Sequence, residues 1–174
     1  MPNTAALPFT LRRSKDTVSM EAIMSTTETV HGLLRLDGEG LTIQWRLARR
    51  TEYVGSQIRT DEELGQVRQV AIPLAAVAGA HVWNRWWDLL GPRIVLTAAD
   101  LRAFEVLTGE GGLRLEHPAE VRLRLRRRDL LLAEEFAAEL TLARAQLAVE
   151  KEEERPAVRG GRDAPGLPDG SARP

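Results

Sequence analysis

The residue types that most often carry chemistry are present, but they are not grouped along the chain. The histidines, His31, His81 and His117, are far apart, and none has a second ligand at the spacing of a helical metal site. The Asp-Glu-Glu segment at 61–63 offers neighbouring carboxylates, which in a polar stretch are ordinarily solvated. The Gly-Glu-Gly-Gly segment at 109–112 lacks the Lys and Ser/Thr of a phosphate-binding loop. We therefore expect a protein that is not an enzyme and has no catalytic residue, metal or cofactor.

The densest positive segment is RLRLRRRD at 122–129. Alternation places its first three arginines on one face of a strand, and two more follow at the entrance of a helix. Guanidinium groups bind carboxylates and phosphates strongly, so an anion site is one interpretation. The other, which we favour, is a solvated face whose charge is offset by Glu116 and Glu120. The candidate anion-binding residues are Arg122, Arg124, Arg126, Arg127 and Arg128.

A second candidate site lies in HVWNRWWDLLGPRI at 81–94, which holds three of the four tryptophans of the chain. Three alternatives are open: the rings belong to the core, they anchor a protein interface, or they insert into a membrane. Tryptophan and arginine are common interface anchors, whereas Asp88 disfavours an anionic membrane surface. The candidate interface residues are Trp83, Arg85, Trp86 and Trp87, with Leu142 on a later helix.

Composition excludes several classes of protein. The 174 residues suit one domain with extensions, and the formal net charge of −1 provides no global attraction for nucleic acid or membranes. No aromatic residues alternate with the arginines of 122–128, so we expect no nucleic-acid partner. Cysteine is absent, which excludes disulfides and fits a reducing compartment. We expect a cytoplasmic protein, with membrane contact only as a lesser alternative.

Hydrophobic periodicity divides the chain into three parts. Residues 1–28 and 152–174 are predicted to be a disordered N-terminal extension and a disordered C-terminal tail, and 29–151 to be the folded domain. Within the domain a period of two predicts seven short strands. Residues 51–65 are predicted to be a long polar loop. The predicted strands are 30–36, 41–50, 66–74, 80–83, 92–97, 113–117 and 120–126.

The period changes after the last strand. Asp129 is a favourable N-cap, and 129–150 contains neither Gly nor Pro, which predicts one long amphipathic helix. Its core stripe steps by three and four residues through Leu132, Phe136, Leu140, Ala143 and Leu147. A second stripe of the same helix is a candidate for a dimer seam: Leu131, Ala138, Leu142, Ala145 and Val149.

Seven strands followed by one helix resemble the pleckstrin-homology (PH)-like domains, particularly the compact bacterial kind. The segment VAIPLAAVAG at 70–79 is similar to the passage from strand 3 to strand 4 of that family. Phe136 stands where the capping helix of the family usually carries a large aromatic residue. The resemblance implies a mainly β fold, a seven-stranded antiparallel roll or barrel capped by the helix.

PH-like domains are generally binding platforms, so the resemblance also implies an interaction module. Its lipid-binding members carry Lys and Arg around the first hairpin loop, whereas the DGEG loop at 37–40 contains Asp37 and Glu39. We therefore do not expect phosphoinositide binding. The predicted function is a non-enzymatic, protein-binding or self-associating scaffold. The alternative is peripheral binding to anionic membranes or acidic ligands through 122–128.

Overall fold

Over the residues that the structure describes, the protein folds as one antiparallel sheet of seven strands followed by a single helix. The structure, a computed structural model, describes residues 6–18, 23–37, 40–54, 58–85, 91–109 and 112–153. The strand order across the sheet is β4-β3-β2-β1-β7-β6-β5. The elements are β1 (Ala6–Val18), β2 (Ile23–Asp37), β3 (Gly40–Val54), β4 (Ile58–Pro73), β5 (Val77–Trp83), β6 (Arg93–Ala98), β7 (Glu120–Arg124) and α1 (Leu130–Glu153).

The sheet has a four-stranded half, β1–β4, and a three-stranded half, β5–β7, joined where Thr10 of β1 pairs with Arg124 of β7. The inner face is apolar: Leu7, Leu34 and Ile43 are register partners across β1, β2 and β3, and all three are fully buried. A sheet with one apolar face must curl around it to exclude water. The predicted fold class, a PH-like antiparallel roll capped by a helix, is confirmed.

Helix α1 covers the opening of this roll. Phe136 and Leu140 are completely buried, while Leu132, Ala143 and Leu147 are partly buried against the core, so the predicted stripe is confirmed. The helix packs mainly on β5, on the 3₁₀ turn Leu74–Ala76 and on β1. The second stripe of α1, which includes Leu131, Leu142 and Val149, is exposed to solvent.

The N-terminal region is the main difference from the sequence prediction. The expected disordered extension over 1–28 is wrong for 6–18 and 23–28, because β1 pairs with β2 from Ala6↔Arg35 to Val18↔Ile23. Phe9 is buried and lies opposite Gly32, where an added Cβ would overlap the Phe9 ring. The missing side chain at Gly32 therefore makes room for the aromatic ring.

Two other predicted boundaries are wrong. Residues 51–54 and 58–65 are not part of a loop, because β3 continues to Val54 and β4 begins at Ile58; residues 55–57 lie outside the described part of the chain. These polar strands are held by cross-strand ion pairs, in which Arg49 lies 3.1 Å from Glu28 and 3.6 Å from Glu63.

The predicted strand at 113–117 is an irregular segment, and 70–79 leads β4 into β5. Leu113 is buried, and its backbone N–H donates to the Leu107 carbonyl at 2.7 Å, so the segment is held without joining the sheet. Helix α1 continues to Glu153; the rest of the predicted C-terminal tail lies outside the described residues.

The burial of β1 predicts a large effect of truncating one of its inward side chains. Leu7→Ala should lower the free energy of unfolding by about 2–5 kcal/mol, because it leaves a cavity between the two halves of the sheet. Val18→Ala on the same strand is the control, since Val18 is 74% exposed and should change stability by less than about 0.5 kcal/mol. Urea denaturation measures both; equal small effects would show that β1 is not part of the cooperative core.

The docking of α1 predicts a similar contrast. Phe136→Ala should destabilise the protein by about 3–5 kcal/mol, because a large aromatic ring is removed from a fully buried position. Leu142→Ala, 60% exposed on the same helix, should have a far smaller effect. A loss below about 1 kcal/mol for Phe136→Ala in urea denaturation would contradict the docking of α1 on the core.

Candidate functional site: an arginine-lined cleft

A cleft of about 190 Å³ opens beside the junction of the two half-sheets. It is bordered by β1, β6, β7 and the irregular segment that begins at Gly112. Its apolar lining is Leu11, Leu113, Leu115 and Val121, and its acidic residues are Glu116 and Glu120. We call it the arginine cleft after its six arginines: Arg12, Arg13, Arg93, Arg114, Arg122 and Arg124.

Strand alternation and register bring four of these arginines to the outer face of the sheet: Arg12, Arg93, Arg122 and Arg124. Val121 and Leu123 of β7 are buried, so the residues between and after them, Arg122 and Arg124, point to the outer face. Arg124 is register partner of both Thr10 on β1 and Arg93 on β6. These four side chains share the outer face because the opposite faces of β1, β6 and β7 enter the core. Arg13 follows Arg12 and therefore lies on the face of Leu7 and Phe9, where its side chain donates to the Arg114 carbonyl.

The electrostatics of the cleft are only partly balanced. Arg122 donates to Glu120 at 2.7 Å and lies 3.7 Å from Glu116. In the described part of the chain, the side chains of Arg12, Arg114 and Arg124 form no ion pair. Among the described residues of the lining, Glu116 and Glu120 are the two carboxylates, and both are engaged by Arg122.

Glu120 is the ionisable group most affected by this arrangement. The hydrogen bond from Arg122 holds the pKa of Glu120 below its ordinary value, and the charges of Arg122, His117 and His81 act in the same direction. Among the described residues, however, no group of three or more His, Cys, Asp or Glu could hold a metal ion.

The structure divides the predicted anion-binding residues. Arg122 and Arg124 line the arginine cleft, whereas Arg126, Arg127 and Arg128 do not. The latter are exposed around the 3₁₀ turn Arg127–Asp129 that precedes α1. The predicted offset by Glu116 and Glu120 is confirmed for Arg122, although Glu120 lies on the same strand and not on a neighbour.

Four arginines of the cleft were missed by sequence reasoning. Arg12 and Arg13 fall in the segment expected to be disordered, and Arg114 in a segment expected to be a strand of the sheet. The alternation of Leu7, Phe9 and Leu11 was the available signal for a strand before 29. No local signal joins Arg93 to the others, because only the β6–β7 register does so.

The tryptophan cluster is described only in part. Trp83 ends β5 and is 41% exposed, so its ring is not part of the core. The guanidinium carbon of Arg85 lies 4.2 Å from the centre of the Trp83 ring, a cation–π geometry. Trp86 and Trp87 lie outside the described residues. The predicted interface at Trp83, Arg85 and Leu142 stays a prediction.

Comparison with protein-family models, with curated proteins and with solved structures finds no match to this chain. Membership of the PH-like family is accordingly still a prediction, separate from the fold class. In the portion that the structure describes, no helix combines the length and apolar character needed to cross a bilayer.

The lowered pKa of Glu120 predicts a response to the loss of Arg122. In Arg122→Gln the pKa of Glu120 should rise, because its hydrogen-bonded guanidinium is gone. Since the folded-state pKa is depressed, the stabilising contribution of Glu120 is present above the unfolded pKa and is lost as the pH falls through the folded value. NMR titration of the side-chain carboxyl measures this; Arg59→Gln, which changes the Arg59–Asp61 pair at 3.0 Å, is the control. An unchanged Glu120 titration in Arg122→Gln would contradict the assignment.

Proposed function

We propose that this protein is a non-enzymatic interaction module that binds an acidic, amphipathic protein segment in the arginine cleft. The observation that carries the proposal is that six arginines, from β1, β6, β7 and the irregular segment, line one cleft together with apolar side chains. The PH-like roll supports it as a binding platform, in the bacterial and cytoplasmic setting expected from the sequence.

Charge is the first argument. Like charges gathered around a concave surface repel one another, and low-dielectric walls strengthen the field between them. Arg12, Arg114 and Arg124 have no ionic partner within the described residues that would offset this repulsion. Arginine forms paired hydrogen bonds with carboxylates, so an acidic partner would relieve the repulsion and gain charge-assisted bonds.

The shape of the cleft is the second argument. Pockets for small molecules usually enclose about 300–1,000 Å³, whereas the arginine cleft holds about 190 Å³. That volume suits side chains projecting from a docked surface. Its floor includes the buried Leu113 and Val121 and the partly buried Leu11 and Leu115, which favours a segment with both apolar and acidic residues.

An anionic membrane is the less favoured partner. A bilayer is flat, while the arginines border a recess in which Glu116 and Glu120 also lie. Carboxylates at this position oppose contact with anionic headgroups. A larger hollow of about 620 Å³ on β1–β4 is also less suitable. Of its three arginines, Arg49 and Arg50 already pair with Glu28, Glu52, Glu62 and Glu63, and Arg12 is shared with the arginine cleft.

Binding of a designed helical peptide with a leucine stripe and glutamate flanks tests the proposal. Arg12→Gln/Arg124→Gln should weaken binding at least about tenfold, because each lost charge-assisted bond is worth about 1.5–3 kcal/mol. Arg68→Gln is the matched control: Arg68 is exposed on β4, outside the cleft, and its replacement should change the affinity less than about twofold. Fluorescence anisotropy at two salt concentrations measures the binding.

Two outcomes would contradict the proposal. Equal losses for the cleft and control variants would indicate non-specific attraction. The second outcome is that the peptide fails to bind, while anionic vesicles bind the wild-type protein and do not bind Arg12→Gln/Arg124→Gln. That result would favour the membrane alternative for the cleft.

A further inference from the structure

We infer that the arginine cleft binds the exposed face of α1 from a second copy of the same chain. The inference rests on the proposed function, because it names the occupant of the same cleft. It predicts head-to-tail self-association, in which the cleft of each copy receives the helix of the next.

The exposed face of α1 is apolar along its length. Leu131, Leu142 and Val149 are 68%, 60% and 58% exposed, although the helix is firmly docked through its other side. Ala138 and Ala145 complete the stripe, with steps of seven, four, three and four residues. This spacing keeps the five side chains on one side of a helix, where they form a continuous seam for a partner.

Acidic residues flank this stripe on both sides. At about 100° per residue, Glu134 and Glu152 lie on one flank, and Glu135, Glu139 and Glu153 on the other. The two basic residues, Arg144 and Lys151, each follow a core-facing leucine by four positions and so lie towards the core side. The structure records no ion pair for these α1 residues within the described part of the chain.

The two surfaces are complementary in both charge and polarity. Helix α1 carries six glutamates against one arginine and one lysine, while the arginine cleft has six arginines against two glutamates. Each surface also combines apolar and charged side chains. These two opposite charge concentrations offset each other within the formal net charge of −1 of the whole chain.

The helix cannot fill the cleft of its own chain while it is docked. Ala133, Phe136 and Leu140 hold α1 in the core with complete burial, so the opposite stripe faces away from the roll. Turning that stripe into its own cleft would expose all three residues. A second copy meets no such obstacle, and because cleft and helix are different surfaces, the contact is heterologous and can repeat into rings or filaments.

Sedimentation velocity of the full chain, over a range of concentration and salt, provides the test. The wild type should form oligomers that dissociate as salt is raised. Arg12→Gln/Arg124→Gln damages the cleft and Leu142→Lys damages the helix face, so each should weaken association at least about tenfold. Ala148→Lys, which adds the same charge at an exposed position outside the stripe, is the control and should associate like the wild type.

Mixing the two damaged variants gives the sharpest result. The cleft variant keeps an intact helix face and the helix variant keeps an intact cleft, so their mixture should form one-to-one dimers and nothing larger. Association lost in Leu142→Lys but not in Arg12→Gln/Arg124→Gln would overturn the inference in favour of a helix-to-helix seam. Circular dichroism of each variant verifies that the fold is retained.

The peptide experiment separates this inference from the proposed function. A wild type that binds the acidic peptide through the cleft, yet stays monomeric at every concentration, would overturn self-association and leave the proposed function standing. A wild type that neither binds the peptide nor self-associates would overturn the proposed function as well as this inference.

Discussion

The rest of the structure depends on the pairing of β1 with β2 on one side and with β7 on the other. Without it, β2–β4 and β5–β7 would be two separate three-stranded sheets. The pairing of Thr10 with Arg124 joins them, and the burial of Leu7 and Phe9 keeps water out of the junction. Hydrophobic burial of these two side chains thus provides the closed inner face that α1 covers.

The same strand links the core to the arginine cleft. Side chains alternate across a strand, so burying Leu7 and Phe9 puts Thr10 and Arg12 on the outer face. On β7 the burial of Val121 and Leu123 acts likewise on the arginines around them. Core packing of the strands therefore positions most of the cleft. Only Arg114 and its neighbours are contributed by a segment outside the strands.

What could be predicted depended on how local the signal was. The core stripe of α1 is complete within one segment, so its period identified the helix and the burial of Phe136. Strand β1 has only three inward apolar residues before it turns polar, so its period is short. The outer parts of β3 and β4 are polar and carry ion pairs such as Arg49–Glu28, and a polar composition of this kind predicts a loop. The arginine cleft depends on register between distant strands, and no sequence period contains that information.

Helix α1 has two apolar stripes with different roles in this scheme. The core stripe around Phe136 and Leu140 closes the roll, while the stripe around Leu142 is exposed between acidic flanks. Because the two stripes lie on opposite sides of one helix, the self-association that we propose can be tested with substitutions that leave the core stripe unchanged. In the proposed self-association, the helix that completes the fold of one copy would also contact the arginines of the next, since docking on the core leaves its outer face exposed to solvent.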